Sequence, residues 1–198
     1  MSRKSEKTRK RILQATWDLL ETSKGQNVSM SDIAKASEIS RQAVYLHFGS
    51  RAELLIATTR YVDEVKDIDA RLVTSRTAPT GILRLEAYIE AWGNYIPEIY
   101  GVSRALMATL EWDDAAAEAW NDRMQAVRHG CAAAIHALSR DGDLIAGLSS
   151  DDATDMLWTL LSVRNWEQLC RTCEWAQEKY VQHMKLIARQ TLVSGSTQ

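Results

Sequence analysis

Two thiols three residues apart, Cys170 and Cys173, are the first residues of this sequence whose types and spacing could do chemistry. On a helix, positions i and i+3 share a face, so Cys170-x-x-Cys173 could act as a thiol switch or supply half of a zinc site. Zinc would want four ligands, and Cys131 stands alone. His129 and His136 lie seven apart, about 10.5 Å along a helix axis, too far to share one ion. A buried or interfacial cysteine pair is the simpler reading, and no metal or cofactor is expected. The sequence has no Gly-rich phosphate loop, no G-x-S-x-G and no H-E-x-x-H. Asp113-Asp114 and Asp151-Asp152 stand at helix starts, where acidic residues are favoured without catalysis. No catalytic residue is expected, and the chain does not read as an enzyme. A second constellation is Arg41, Gln42, Tyr45, Leu46 and His47. Arg and Gln make bidentate hydrogen bonds to guanine and adenine edges, Leu touches a thymine methyl, and Tyr and His reach phosphates.

Such residues need rigid elements behind them, and the composition says which kind. The 198 residues include only 2 prolines and 9 glycines, with apolar residues at 45% and charged at 25%. Those values exclude wholesale disorder, and the missing turn chemistry excludes a strand-rich fold, so the expected class is all-α. The longest apolar runs, such as Leu54 to Ala57 and Cys131 to Ile135, are far short of the ~20 residues that span a bilayer. No apolar core of a signal peptide follows the basic N-terminus, and three cysteines make no disulfide scaffold; a soluble, cytoplasmic protein is expected. The net charge of −2 hides a split. Residues 1–60 hold 11 Lys/Arg against 6 Asp/Glu, and the remainder holds 13 against 20. A basic segment of this kind is a footprint for a polyanion.

A polar, basic lead from Ser2 to Lys7 runs into an amphipathic helix with Ile12, Leu13, Ala15, Trp17, Leu19 and Leu20, with Gly25 as its C-cap. Ser29 or Ser31 can cap a short helix, and Ser40 a second one from Arg41 to Phe48. Ser50-Arg51-Ala52-Glu53 reads as a capping box opening a long helix, expected to run to about Arg76. Two short helices joined by about four residues and held between longer ones are the layout of a helix-turn-helix, whose second helix fits the ~12 Å major groove. Ala34, Ile39 and Val44 suit the inside of the corner.

Over about residues 7–60 the sequence resembles the N-terminal domain of the TetR family of bacterial transcriptional regulators (TetR/AcrR-like). The residues that carry it are Arg11-Ile12-Leu13-x-Ala15, Ser31-Asp32-Ile33-Ala34 and Ile39-Ser40-Arg41-x-Ala43-Val44-Tyr45-x-His47-Phe48-x-Ser50-Arg51-x-Glu53-Leu54. Glu38 stands where the family usually has glycine, which puts a non-glycine residue in a left-handed turn at a cost of order 1 kcal/mol. The resemblance implies that Ser40, Arg41, Gln42, Leu46 and Ala43 face bases. Tyr45, His47, Arg51 and Ser29 would grip phosphates, with Lys4, Lys7, Arg9 and Lys10 near the backbone or minor groove. It also implies a DNA-binding domain over residues 1–50, a linking helix over about 50–76, and an effector-binding and dimerisation domain within 51–198.

Beyond residue 60 the likeness is looser. Helices are expected from about Ile82, with Pro97 kinking or ending the first; from Gly101 to Glu111; from Asp113; from Ser149 to about 170; and from about 175 to 193, with a loop at Asp141–Gly147. Six of the seven tryptophans fall in this half. Tyr88, Trp92, Tyr95, Tyr100, Arg104, Met107, Trp120, Met124 and Trp158 could line a small-molecule pocket, Arg104 orienting a polar group. The bland alternative is core filling. In TetR-type regulators the last two helices pair with their twins, which points to Leu157, Leu161, Trp166, Tyr180, Met184 and Ile187 as a homodimer interface. A two-fold dimer sets two reading helices one DNA turn apart, ~34–36 Å, and so reads a near-palindrome. The resulting expectation is a homodimeric repressor with a double-stranded DNA operator and an unknown small apolar or aromatic effector as partners. The alternatives are a DNA-binding dimer without an effector, and a helical enzyme or carrier with a vestigial DNA domain.

Overall fold

The helices that start at Met30, Arg41, Arg51 and Ile68 are each capped by a serine or an aspartate, and the computed structural model, which describes residues 3–23 and 26–195, shows what those caps hold. Helix α1 (Arg3–Thr22) already includes most of the basic lead, and buries Ile12, Leu13, Trp17 and Leu20 against α2 (Met30–Ala36) and α4 (Arg51–Val65). The C-cap expected at Gly25 lies outside the described residues. Ser29 accepts from the Asp32 amide while the Asp32 carboxylate accepts from the Ser29 amide, a full capping box. Those hydrogen bonds hold the Asp32 carboxyl below the usual carboxylate range. Ser40 caps α3 (Arg41–His47) through the Ala43 amide. Ser50 accepts from the Glu53 amide, but Glu53 reaches back to the amide of Gly49 rather than Ser50. Between α2 and α3, Glu38 has φ +52°, the left-handed conformation expected of this turn.

Contacts divide the chain into two compact units: residues 1–66 with 99–124, and residues 67–98 with 125–198. The single helix expected from Ser50 to Arg76 is two. Asp67 takes φ +52° and its carboxylate caps α5 (Ile68–Arg76) through the Ala70 amide. Aspartate is among the few residues that enter the left-handed region cheaply, and it gains a helix cap there.

In the second unit, α6 (Gly81–Met107) contributes residues up to Glu98 and α7 (Asp114–Arg140) contributes residues from Gln125. Pro97 neither ends nor breaks α6, and the separate helix expected from Gly101 is its continuation. Proline cannot donate to the carbonyl four residues back, and that carbonyl, on Gly93, accepts instead from Gln177 Nε2 at 2.8 Å. The Gln177 oxygen in turn accepts from Trp166 Nε1 at 2.8 Å. Trp92 donates to the Leu161 carbonyl, and Tyr88 to the Val127 carbonyl. A Cβ on Gly130 would stand 2.3 Å from the Tyr88 hydroxyl, so only glycine admits this approach of α6 to α7.

The helix expected over 151–170 is broken. Helix α8 (Ser150–Leu160) stops at Leu161, Ser162 caps the short α9 (Val163–Trp166), and the chain continues as a π-helical stretch, Glu167–Thr172, before α10 (Gln177–Leu192). Asn165 Nδ2 donates to the Thr159 carbonyl at the break, which also accepts from the Ser162 amide. Among the described residues there is no strand, only one antiparallel bridge between Leu144 and Val193, and no helix is long and apolar enough to cross a membrane.

Burial pushes the Cys131 thiol, whose ordinary value is 9.0, up to about 12. Between those values the unfolded chain releases a proton that the folded chain keeps, so stability falls as pH rises above about 9. Burial raises Tyr88, Tyr95 and Tyr180 in the same sense. Scanning calorimetry should therefore show a lower Tm at about pH 10 than at about pH 8, with a smaller drop in Cys131→Ala. An unchanged drop in that variant would remove the thiol from the account.

Candidate nucleic-acid interface

The recognition face is built by exclusion. On α3, Val44 turns inward at 0% exposure and Phe48, just past the helix end, is equally buried. Helical spacing then leaves Arg41, Gln42, Tyr45 and Leu46 outward, with Ala43 and His47 half-buried at the edges. Leu46 is 83% exposed, an apolar side chain with nothing of its own chain to cover it. Arg41 lies over the Tyr45 ring at 5.7 Å. Ser40 is exposed while capping α3, and Lys4 and Lys7 are exposed on α1.

Two arginines of the basic segment are turned to protein instead. Arg9 donates to the His47 carbonyl at 2.9 Å and lies 4.0 Å over the Phe48 ring, so it pins the end of α3 to α1. Arg51 donates from Nε to the Val28 carbonyl, from one terminal nitrogen to Asn27 Oδ1, and from the other to Asp113 Oδ1 at 2.5 Å. Its side chain is 20% exposed. It therefore fastens the start of α4 to the approach of α2 and to the start of α7. The Ser29 hydroxyl is likewise engaged, donating to Asp32.

The nine expected pocket residues are divided between the two units. Tyr88, Trp92, Tyr95 and Trp158 belong to the second unit, whereas Tyr100, Arg104, Met107, Trp120 and Met124 belong to the first. Tyr88, Trp92 and Tyr95 are buried core, while Arg104 is exposed and stacks 5.8 Å from the Tyr100 ring. Of the nine, Trp120 lines a narrow cavity in the first unit, about 20 Å³, with Thr59, Val62 and Asp63 on α4. Ile99, Val102, Ser103 and Leu106 close it from α6, and Arg123 from α7. Asp63 and Arg123 form an ion pair there, both largely buried. Burial, and next to it the charge of Arg60, lowers the Arg123 guanidinium from the usual arginine range. Neither partner was singled out from the sequence. The available signal was Asp63 itself, a carboxylate on the same stripe as Leu55, Thr59 and Val62.

Five of the six expected interface residues are core of their own chain: Leu157, Leu161, Trp166, Tyr180 and Met184 are at most 3% exposed. Helical period identifies the apolar side of an element, and here that side meets the rest of its own unit. Ile187 is 37% exposed and shares an open groove with Met156, Leu160 and Leu192 between α8 and α10. Cys170 is half-buried and Cys173 exposed within the chain, so the two, expected as a buried or interfacial pair, are not buried together in their own fold. No group of three metal-ligating side chains gathers among the described residues.

Residues 12–58 match the family described as bacterial regulatory proteins, tetR family. A nucleoid occlusion factor, SlmA, of Marinomonas sp. (strain MWYL1) is 34% identical over 64 residues; this chain covers 32% of its length, and the match takes in 32% of this chain. The fold is that of a Rhodococcus sp. protein assigned as a TetR-family transcriptional regulator, at TM-score 0.73 and 19% identity over 94% of this chain and 99% of that one. It is also that of NalD of Pseudomonas aeruginosa, the secondary repressor of the MexAB-OprM multidrug efflux pump, at TM-score 0.68 and 20% identity over 98% and 100%.

Proposed function

Because residues 12–58 belong to the tetR family of bacterial regulatory proteins and the whole chain carries the fold of such regulators, we propose that it is a cytoplasmic, homodimeric repressor that a small molecule releases from a near-palindromic operator. The observation that carries the reading is the outward face of α3, where a guanidinium, an amide and an uncovered leucine stand together above a buried Val44 and Phe48. Arg41, Gln42, Ala43 and Leu46, with Ser40, meet base edges in the major groove, and Tyr45 and His47 meet phosphates, while the Ser29 hydroxyl stays committed to Asp32. Lys4 and Lys7 add charge along the backbone. Arg51 serves by holding the start of α4, since its donors already have protein partners. The second copy sits on the groove of Met156, Leu160 and Ile187, whose exposed apolar atoms gain a dry partner. The repressor sense is supported by the fold shared with NalD.

The test is a titration of genomic fragments, including the one upstream of the chain's own gene, at about 50 and about 200 mM salt. One fragment should bind far more tightly than the rest, with affinity falling steeply at the higher salt. Arg41→Ala with Gln42→Ala should lower affinity for that fragment by about 100-fold or more and leave non-specific binding nearly intact. Equal, weak binding to all fragments would defeat the reading.

A further inference from the structure

The stretch that leads from α9 to α10 carries two thiols, and α10 brings to it a buried hydroxyl with nothing to donate to. Cys170 lies within the π-helical turns and Cys173 ends them; Cys170 is half-buried, Cys173 is exposed, and neither lines the groove on which the second copy is placed. Helix α10 packs on this stretch and carries Tyr180, which is 0% exposed and whose hydroxyl meets no hydrogen-bond partner among the described residues. A buried O–H without an acceptor is costly, and natural interiors rarely leave one. Burial first, and after it the charge of a Cys170 thiolate, raise the Tyr180 phenol above its ordinary value, so the O–H stays in place when that thiolate forms.

We propose that Cys170 and Cys173 are a thiol–disulfide site oxidised by a hydroperoxide, with the Tyr180 hydroxyl as the donor that receives the Cys170 thiolate. No third metal-ligating side chain gathers with them among the described residues, whereas two thiols suffice for a disulfide. Cys173 acts first, because it is open to solvent while burial pushes the Cys170 thiol up against the opposing charge of Arg171. Its thiolate attacks the O–O bond and becomes a sulfenic acid, and the alkoxide or hydroxide that leaves takes up the thiol proton. The Cys170 sulfur, shedding its own proton, then attacks the Cys173 sulfur, and the sulfenic hydroxyl leaves with that proton as water. Two thiols and one hydroperoxide become a disulfide, an alcohol or water, and a further water. A neutral thiol is a weak acceptor, but a thiolate is a strong one, so the Tyr180 O–H finds its partner in the closing step. On a regular α-helix the two Cβ atoms stand about 5–6 Å apart, and a disulfide wants about 3.8 Å. This turn can yield, since the Cys173 amide donates to the Gln168 carbonyl in a ring wider than the α-helical one and Glu174 leaves it at φ +55°.

The test treats the reduced full chain, without DNA, with hydrogen peroxide and follows its mass and its free thiols. The chain should lose two hydrogens and two of its three thiols, with the bond mapped to Cys170–Cys173, and dithiothreitol should restore both. Cys131, at 0% exposure, should stay reduced. Cys170→Ser should stop at a Cys173 sulfenic acid that dimedone captures, and Cys173→Ser should leave Cys170 reacting about tenfold more slowly than Cys173 does. Tyr180→Phe should slow closure about tenfold while leaving the peroxide step within about twofold, a split that lost packing alone would not produce. The unaltered chain and the two cysteine variants decide the site even where the Tyr180 variant folds poorly. Oxidation first at Cys131, a disulfide between two copies, or a sulfinate without closure would each overturn the site. Equally fast closure in Tyr180→Phe would overturn the role of its hydroxyl.

Discussion

Truncating Phe48 to alanine is expected to cost about 3–5 kcal/mol of the stability of α1–α4, the largest effect of any single side chain near the recognition face. The ring has 0% exposure and closes the end of α3, where the Phe48 amide donates to the Val44 carbonyl. Removing it deletes buried apolar contact and also the surface on which Arg9 lies at 4.0 Å. Arg9 would then keep a single hydrogen bond to the His47 carbonyl, too little to fix the axis of α3. Hydrogen exchange of the α1–α4 amides should accelerate by about 100-fold or more, and specific DNA binding should vanish with it. Exchange within about threefold of the parent would show that α3 is held from elsewhere.

The second large effect is expected at Arg51. Asp113 is 8% exposed; its Oδ1 accepts from Arg51 and from the Ala116 amide, and its Oδ2 is buried with no partner among the described residues. Arg51→Met strands that carboxylate, and breaking a buried pair from one side costs about 3–5 kcal/mol. Asp113→Asn in the same chain removes the stranded charge, keeps an oxygen for the Ala116 amide, and should restore most of the loss. Urea denaturation of the two single variants and the double one measures the coupling directly. Additive losses would mean that the two side chains do not act as a pair. The contrast is Arg60–Asp122, whose arginine is 65% exposed; Arg60→Ala should cost no more than about 1 kcal/mol. Charge near the reading head is thus unequal in value, and burial decides which arginine matters.

That inequality also marks how far the residues alone could be read. Short-range signals were legible: serines at 29, 40 and 50 each cap a helix, Val44 is inside, and Glu38 takes the left-handed turn. Each depends on neighbours within four residues. What the residues hid depends on partners far along the chain. Arg51 reads as a phosphate contact until Asp113, 62 positions away, is seen beneath it. Asp63 stands on the inward stripe of α4, but its partner is hidden until Arg123 is brought to it by α7. Leu157 and Tyr180 carry the periodic pattern of an interface, but an apolar stripe does not say whether its partner is the same chain or a second one. Pro97 was the strongest breaking signal in its helix and was overridden by a side chain 80 residues later.

Pro97 has a further meaning for the history of the chain. The carbonyl it leaves idle on Gly93 is served by Gln177, and the other end of that amide is committed to Trp166. The proline is therefore conditional on residues it never touches in sequence. Replacing Gln177 first orphans a carbonyl inside α6, whereas replacing Pro97 first restores the helical bond and leaves Gln177 answerable only to the Trp166 indole. The same two substitutions are tolerated in one order and resisted in the other. Among related sequences, an amide at the place of Gln177 should be inherited together with proline at the place of Pro97, an epistatic pair that joins two helices across most of the second unit's sequence.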